Sequence, residues 1–363
     1  MEMKNGMATP RRRFGKMVAG ICAAGALAVP VLMSSPAALA QSGGTVALLL
    51  PDNIISRWEQ QDRVFFEAAM KAENPNAKVL VFNALGDPAK QVAQTEAALT
   101  QDAKVLVVIA QDTKAAAAIV TAAHQQKVPV IAYARMIGNA NVDYFVGKDS
   151  VQVGVEQGKW LAANTKDGDT IVVLNGSPDD GNARLFNQGY MSVLGPLFTS
   201  GKRKLGGDLW IQGYDPAKAQ AAMEQLLTKN NNQVQGVLAA NDGIAGGAAS
   251  ALRERGLKVP LTGLDATQAG VQRVIVGTQG MTIMQPVADF AKSAAKIANM
   301  VLQGKTPPAS LFGAPTPDGA KSVPTIQIAT VPITRTNVMD VVNARMYTMA
   351  QLCQGLPAGT SGC

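Results

Sequence analysis

The sequence of 363 residues reads as an α/β protein built from two halves, each a doubly wound, mostly parallel sheet covered by helices. Three observations point there. Short apolar runs recur without polar alternation, as strands buried on both faces require. Between them lie longer stretches with apolar residues at helical spacing. Aromatic residues make up only 5% of a chain rich in alanine, which suits helices packed on sheets better than an all-β sandwich. With 47% apolar and 16% charged residues the composition is globular, and the length fits about two domains.

The strand–helix alternation begins at Gly44. Thr45–Leu50 is an apolar strand, and Ser56–Glu73 carries Trp58, Phe65, Phe66 and Ala69 at helical spacing. Lys78–Phe82 is the next strand, then a helix from Pro88 to Leu99, the strand Val105–Ala110, a helix near Lys114–His124 and the strand Val128–Tyr133. After Tyr144–Gly147 the pattern restarts with a helix over Val151–Ala163. It continues through Thr170–Asn175, a helix Asn182–Phe198, Leu205–Ile211, a helix Ala217–Leu227, Gly236–Ala240, a helix Ile244–Glu254 and Val259–Leu264. A helix Gln268–Val276, a strand Met281–Met284, a helix Pro286–Leu302 and a strand Val323–Val331 follow. The last two have no partner set of their own and must return to sheets already built, so the chain crosses between halves several times. The expected division is an N-terminal lobe over 41–148 completed by 286–310, a second lobe over 149–285 completed by 311–331, and a tail over 332–363.

Residues 1–40 form a leader rather than fold. Arg11, Arg12, Arg13 and Lys16 precede the apolar run Met17–Met33, and Ala38-Leu39-Ala40 provides a small-residue cleavage site before Gln41. Gly20, Gly25 and Pro30 interrupt the run, which makes it a poor membrane anchor. Arg11-Arg12-Arg13-Phe14-Gly15-Lys16 also resembles a twin-arginine export motif, beside which ordinary secretion stays open. The mature chain is expected in the periplasm or on the extracellular face. Without residues 1–40 the net charge falls from +7 to +3, which gives no reason to invoke nucleic acid. Of the three cysteines, Cys22 lies in the leader, and Cys353 and Cys363 sit in a Gly/Ser/Pro-containing end where a disulfide is expected after export.

Ligands of α/β sheets bind at the carboxyl ends of the strands, and there the unusual polar residues collect. Pro51–Trp58 reads P-D-N-I-I-S-R-W, placing Arg57 and Trp58 at a strand end. Trp58 offers an apolar plate and Arg57 a fork of donors; the plainer reading has Trp58 in the core and Arg57 solvated. Arg135 follows in Tyr133-Ala134-Arg135-Met136. The turn Gly176–Asn182 holds Asp179, Asp180 and Asn182, of which Asp180 and Asn182 also suit simple capping. Trp210–Tyr214, Ala240-Asn241-Asp242-Gly243 and Gly263-Leu264-Asp265-Ala266 repeat the theme. Six such turns at equivalent edges fit carbohydrate capture: carboxylates, amides and arginine pair with hydroxyls, and aromatic rings stack on the C–H faces. No phosphate loop, nucleophile elbow or metal spacing occurs, and a lone histidine, His124, excludes multi-histidine zinc chemistry. Neither a cofactor, a metal nor catalysis is expected.

The stretches S-R-W, Y-A-R-M, G-S-P-D-D-G-N-A, W-I-Q-G-Y, A-N-D-G-I-A-G-G-A and G-T-Q-G-M-T together resemble the periplasmic monosaccharide-binding proteins of ABC importers, over about Thr45 to Val331. The resemblance implies the type I periplasmic binding fold, with two lobes and three crossovers that close on one sugar. It implies delivery to a permease in the cytoplasmic membrane, recognition by a chemoreceptor as a further role, and a monomer. Carried over, the sugar contacts are Arg57, Trp58, Arg135, Asp180, Asn182, Asn241 and Asp265, with Tyr214 where the pattern has Trp. Ala134 stands where the xylose-binding members have Asp, and Gln285 where they have Lys. Losing an acid and a base together keeps the charge balance and changes which hydroxyls are recognised. D-xylose is the first expectation, with a hexose, another pentose or a polyol as alternatives. A DNA-binding regulator with the same two-lobed core needs an N-terminal helix-turn-helix where this sequence reads as an export leader, and is set aside. A secreted carbohydrate-active enzyme using Asp179 and Asp180 is the remaining rival.

Overall fold

The computed structural model describes residues 43–363; the export leader expected over 1–40, with its basic cluster and Cys22, lies outside the described residues. The first sheet begins with β1 (Thr45–Leu50), buried along all but its first residue because helices cover both faces. A π-helical turn over Trp58–Asp62 runs into α1 (Arg63–Glu73). Then come β2 (Lys78–Asn83), α2 (Pro88–Thr100), β3 (Ala103–Val108), α3 (Ala117–Gln125), β4 (Val130–Tyr133) and β5 (Tyr144–Gly147). Helix α2 starts where Asp87 accepts hydrogen bonds from the N–H groups of Ala89 and Lys90, with Pro88 in the first turn. The strands pair in parallel in the order β2-β1-β3-β4-β5.

The second lobe follows the same logic. It contains α4 (Ser150–Ala163), β6 (Thr170–Asn175), α5 (Gly181–Thr199), β7 (Lys204–Trp210), α6 (Pro216–Lys229), β8 (Gly236–Ala239), α7 (Asp242–Glu254), α8 (Gln268–Val276) and β9 (Thr282–Met284). Strands β7-β6-β8 pair in parallel. The segment expected as a strand over Val259–Leu264 has only an isolated bridge, Val237 to Leu261. It still continues the sheet, because Ile283 N–H donates to Gly263 O at 3.2 Å and Asp265 N–H to Ile283 O at 2.8 Å. Helices α4 and α5 meet backbone to backbone: a Cβ on Gly154 would lie 2.1 Å from Phe186 O, and one on Gly189 would lie 2.1 Å from Val151 O. That close approach fixes α5 and the side chains it carries toward the first lobe.

After β9 the chain returns to the first lobe as α9 (Val287–Leu302), whose Phe290 and alanines pack into the core around β1, β3 and β4. A hairpin of β10 (Thr316–Pro317) and β11 (Ser322–Val323) precedes β12 (Thr325–Gln327). Residues 311–331, expected in the second lobe, belong mainly to the first. Thr325–Gln327 pairs in parallel with Phe145–Gly147, and Phe312 stacks on Tyr144 at 5.7 Å. The exposed edge of β5 explains this, since unpaired backbone groups there find a strand to bond. Only β13 (Val331–Ile333) crosses back, pairing antiparallel with β9.

The final residues are not a loose tail. Helices α10 (Met339–Asn343) and α11 (Met349–Cys353) bring Val341, Met346 and Leu352 onto Val271, Val274 and Ile275 of α8, a face otherwise open to water. A disulfide joins Cys353 and Cys363. Three crossovers thus link the lobes: β5 to α4 through Lys148-Asp149, β9 to α9 through Gln285-Pro286, and β12 to β13 through residues 328–330. Among the described residues no helix is long and apolar enough to cross a membrane.

Candidate functional site

The carboxyl ends of the strands in both lobes face one narrow cavity, whose free volume in this closed arrangement is only about 20 Å³. Its first wall is the loop after β1. Asp52 Oδ1 accepts from the N–H groups of Ile54 and Ile55, each at 2.9 Å, which turns Ile55 and then Trp58 toward the cavity. The π-helical turn that follows aligns residues five apart, so Arg57 reaches Asp62 with two parallel bonds of 2.7 and 2.8 Å. A third nitrogen of Arg57 points to Asp265 Oδ1 at 3.5 Å, and the guanidinium lies 4.7 Å from the Trp58 ring centre. Burial opposes the charge of Arg57, but Asp62 and then Asp265 outweigh it and raise its pKa above the ordinary value.

The second wall comes from β4 and β5. Ala134 has a φ of 59°, and Arg135 N–H bonds back to Tyr133 O at 2.6 Å, a tight turn that non-glycine residues seldom adopt. It aims Arg135 across the cleft. Its Nη1 donates to Ala110 O at 2.9 Å and its Nε lies 3.1 Å from Asp180 Oδ2. Its guanidinium sits 5.3 Å from the Trp58 ring centre and 5.9 Å from that of Tyr214. Burial works against the Arg135 charge as well, and Asp180 more than offsets it.

The opposing lobe supplies the acceptors. Asp180 caps α5 through a 2.9 Å bond from Asn182 N–H and accepts the Tyr214 hydroxyl at 2.8 Å. Asn182 accepts from Ser150 Oγ at 3.1 Å and donates to Ala134 O of the first lobe at 2.9 Å. Tyr214, with a φ of 55°, is buried, which pushes its phenol pKa well up. Asn241 caps α7 by accepting Ile244 N–H at 3.0 Å, and its amide lies 3.5 Å from Asp265. Asp265, with a φ of 95°, accepts Gln285 Nε2 at 2.6 Å. The capping reading holds for Asp180 but not for Asn182, whose N–H is the donor that Asp180 accepts. Asn241, which the sequence reading did not take as a cap, caps α7, and in Asp180 and Asn241 alike one end serves the helix while the other faces the cleft.

The structure brings all nine candidates together, and eight of them line the cavity: Trp58, Arg135, Asp180, Asn182, Tyr214, Asn241, Asp265 and Gln285. Arg57 stands behind Trp58, neither solvated nor a wall. Gln285 Oε1 and Trp58 Nε1 are buried and have no hydrogen-bond partner among the described residues. The sequence reading passed over Lys148, Phe186, Ile55 and Leu264, which also line the cavity. Phe186 lies one helical turn beyond Asn182 and so shares its face, a signal that spacing carried. Lys148 closes an apolar strand and is buried, with Nζ 3.5 Å from Ala134 O and 5.4 Å from the Phe186 ring centre. Burial and then Arg57 lower its pKa to about 8, against the pull of Asp180 and Asp265.

Asp179 turns away from Asp180 and accepts from Gln212, so the two neighbours do not form a catalytic pair across one substrate. Among the described residues no cluster of His, Cys, Asp and Glu is placed to hold a metal ion. A larger hollow between α7 and α8 is lined by aliphatic residues and the basic Arg253, Lys258 and Arg273, and none of the nine candidates reaches it.

A family model described as the periplasmic binding protein domain matches residues 46–306. The D-xylose-binding periplasmic protein of Escherichia coli is 36% identical over 299 residues, covering 82% of this chain and 88% of that protein. The multiple sugar-binding periplasmic receptor ChvE of Rhizobium radiobacter is 32% identical, covering 93% and 99%. Among solved structures, a carbohydrate transporter solute-binding protein from Chloroflexus aurantiacus in complex with D-glucose superposes with a TM-score of 0.78 at 29% identity, covering 84% of this chain and 97% of that one.

Proposed function

Because the chain belongs to the periplasmic binding protein family, as a sugar-binding protein of the ABC importers, we propose that its cavity captures one monosaccharide and presents it unchanged to a permease. One observation carries the reading: one cavity joins the buried side chain of an indole to buried carboxylates, amides and a guanidinium drawn from both lobes. Trp58 supplies an apolar plate for a sugar's C–H face, while Asp180, Asn182, Asn241, Asp265 and Gln285 offer acceptors and donors at fixed angles to its hydroxyls. Arg57 holds Trp58 and Asp265 in place from behind. Closure follows from population shift: contacts from both lobes exist together only when the lobes meet, so the sugar favours the closed state by its differential affinity.

D-xylose is the first candidate, supported by 36% identity to a D-xylose-binding protein over most of both chains. Against it stand Ala134 and Gln285, which replace the acid and base of the xylose pattern. A hexose is the main alternative, supported by the D-glucose complex at 29% identity; another pentose or a polyol follows. The relatives' periplasmic location, together with the leader, supports export to that compartment. A permease in the cytoplasmic membrane is the proposed partner, a chemoreceptor a further one, and the protein acts as a monomer without cofactor or metal. The secreted-enzyme reading loses support, since Asp179 bonds to Gln212 and does not line the cavity beside Asp180.

Thermal-shift screening of the mature protein tests the reading with D-xylose, D-glucose, L-arabinose, D-ribose and myo-inositol. A cognate sugar raises the melting temperature in a dose-dependent way, by RT ln(1 + [L]/Kd) in free energy. A flat response to all of them at millimolar concentration refutes sugar capture, and release of product from chromogenic glycosides refutes the non-enzymatic role.

A further inference from the structure

Lys148 is a cationic residue of the cavity wall that has no place among the expected sugar contacts. It sits on the first crossover, between β5 and α4, with its side chain buried against the ligand cavity. Its ammonium reaches only the Ala134 carbonyl, at 3.5 Å, and the face of Phe186; among the described residues it forms no ion pair. Asn182 already serves the same carbonyl at 2.9 Å. An ammonium has three donors and no acceptor, so Lys148 is left with donor capacity directed at the cavity. Burying such a charge costs stability and calls for a partner.

We propose that Lys148 is a specificity-determining residue that donates to a hydroxyl or ring oxygen of an uncharged sugar, taking over from the first crossover the cationic donor that Gln285 no longer supplies from the second. The proposal rests on the sugar-binding reading above. The positions support it. Gln285 and Lys148 lie on two different crossovers yet line one cavity, and Lys148 approaches the backbone of residue 134, the other departure from the xylose pattern.

Charge balance argues for a neutral ligand. The cations around the cavity are Arg57, Arg135 and Lys148; Asp62, Asp180 and Asp265 face them. Asp52 is buried nearby with its carboxylate turned to backbone N–H groups, and Asp242 behind Asn241 is offset by Arg273. A sugar acid would add an anion to a set that already holds no surplus of positive charge.

The test uses the mature protein and isothermal calorimetry with D-xylose, D-glucose, L-arabinose and D-glucuronate, for wild type, Lys148→Met and Lys148→Gln. The expected result is at least a 10-fold loss of affinity for the best neutral sugar in both variants, while the melting temperature without sugar is unchanged or raised. The raised or unchanged melting temperature separates ligand contact from a structural role, which would lower affinity and stability together. Equal affinity in wild type and Lys148→Met overturns the proposal and leaves sugar capture standing. Tighter binding of D-glucuronate than of D-glucose overturns the neutral-ligand assignment. Failure of wild type to bind any of the four, or the D-ribose and myo-inositol of the thermal-shift screen, overturns both this proposal and the reading beneath it.

Discussion

Two carboxylates meet the Arg57 guanidinium, and the structure assigns them opposite consequences on removal. Asp62 takes two donors at 2.7 and 2.8 Å, and both partners are 1% exposed. Asp62→Asn keeps one acceptor but leaves the buried guanidinium with a single charged partner, Asp265, at 3.5 Å. Breaking a buried pair from one side costs about 3–5 kcal/mol, a large part of the 5–15 kcal/mol typical of a folded protein. Asp265 faces the cavity instead and receives Gln285 Nε2 at 2.6 Å. Asp265→Asn keeps the shape and one acceptor, and Arg57 keeps Asp62, so folding is affected much less. A sugar hydroxyl loses a charged acceptor, worth about 1.5–3 kcal/mol, or a 10–150-fold weaker Kd. Urea denaturation without sugar and calorimetry with the cognate sugar measure the two effects separately. The reasoning fails if Asp62→Asn shifts stability by less than 1 kcal/mol, or if Asp265→Asn costs as much stability as Asp62→Asn.

Three further outcomes follow from buried groups. The folded pKa of Lys148, about 8, lies below its ordinary 10.5, so the unfolded chain binds the extra proton between these values and stability rises with pH across that window. The rise is worth about 3 kcal/mol at most; it should appear as the difference between wild type and Lys148→Met in urea midpoints at pH 7.5 and 10, where Tyr133 and Tyr214 contribute equally to both. Asp242 is shifted the other way, from 3.8 to about 6, chiefly by burial, so its contribution is full below pH 4 and lost as pH rises through 6. Asp242→Asn should flatten that segment of the stability profile between pH 4 and 7. A Cβ at Gly270 would stand 2.1 Å from Asp242 Oδ2, the oxygen that holds Thr267 N–H at 2.8 Å, whereas one at Gly195 in α5 meets nothing. Gly270→Ala should therefore destabilise by about 1–3 kcal/mol and weaken sugar binding by shifting the Asp265 loop, while Gly195→Ala stabilises by up to about 1 kcal/mol in the same denaturation assay.

Most of the architecture was legible because burial leaves a local trace. Val46 to Leu50 and Thr170 to Asn175 are unbroken buried runs, and Asp87-Pro88 and Asp215-Pro216 announce helix starts with a cap and a preset φ. The return path after residue 311 left no such trace. Thr325–Gln327 is three residues of edge strand, and nothing local distinguishes pairing with β5 from pairing with β9; the choice is made by which edge lies open. The site divides the same way. Polar residues clustered at strand ends were visible as a set, since each stands where a buried sheet ends. Lys148 was invisible as a site residue because one lysine after Gly147 looks like an ordinary strand terminus. Only the crossover geometry turns it inward, and the role of Arg57 as support behind Trp58 depends on a π-helical turn that no periodicity announced.

Affinity in such a site is also set away from the sugar, at the contacts that hold the lobes together without it. Beyond the cavity walls, Thr113 of the first lobe meets the start of α5 in the second. Its Oγ accepts Gly181 N–H at 3.0 Å and donates to Asp179 O at 3.2 Å, and its own N–H donates to Asp179 O at 3.1 Å. These bonds exist only with the lobes closed, so they contribute to the closed population rather than to any sugar contact. Thr113→Val keeps the shape and the backbone bond but deletes both hydroxyl bonds. Gly181 N–H, one of the donors a helix start leaves unsatisfied, is then returned to water on opening. A loss of about 1 kcal/mol in closure makes the competent fraction smaller and the Kd roughly 5-fold weaker, with the order of preference among sugars unchanged. Small-angle scattering of the sugar-free variant should report a larger radius of gyration than wild type. A change in which sugar is preferred would place Thr113 in recognition, and an unchanged Kd with an unchanged radius would show that the closed state draws nothing from this contact.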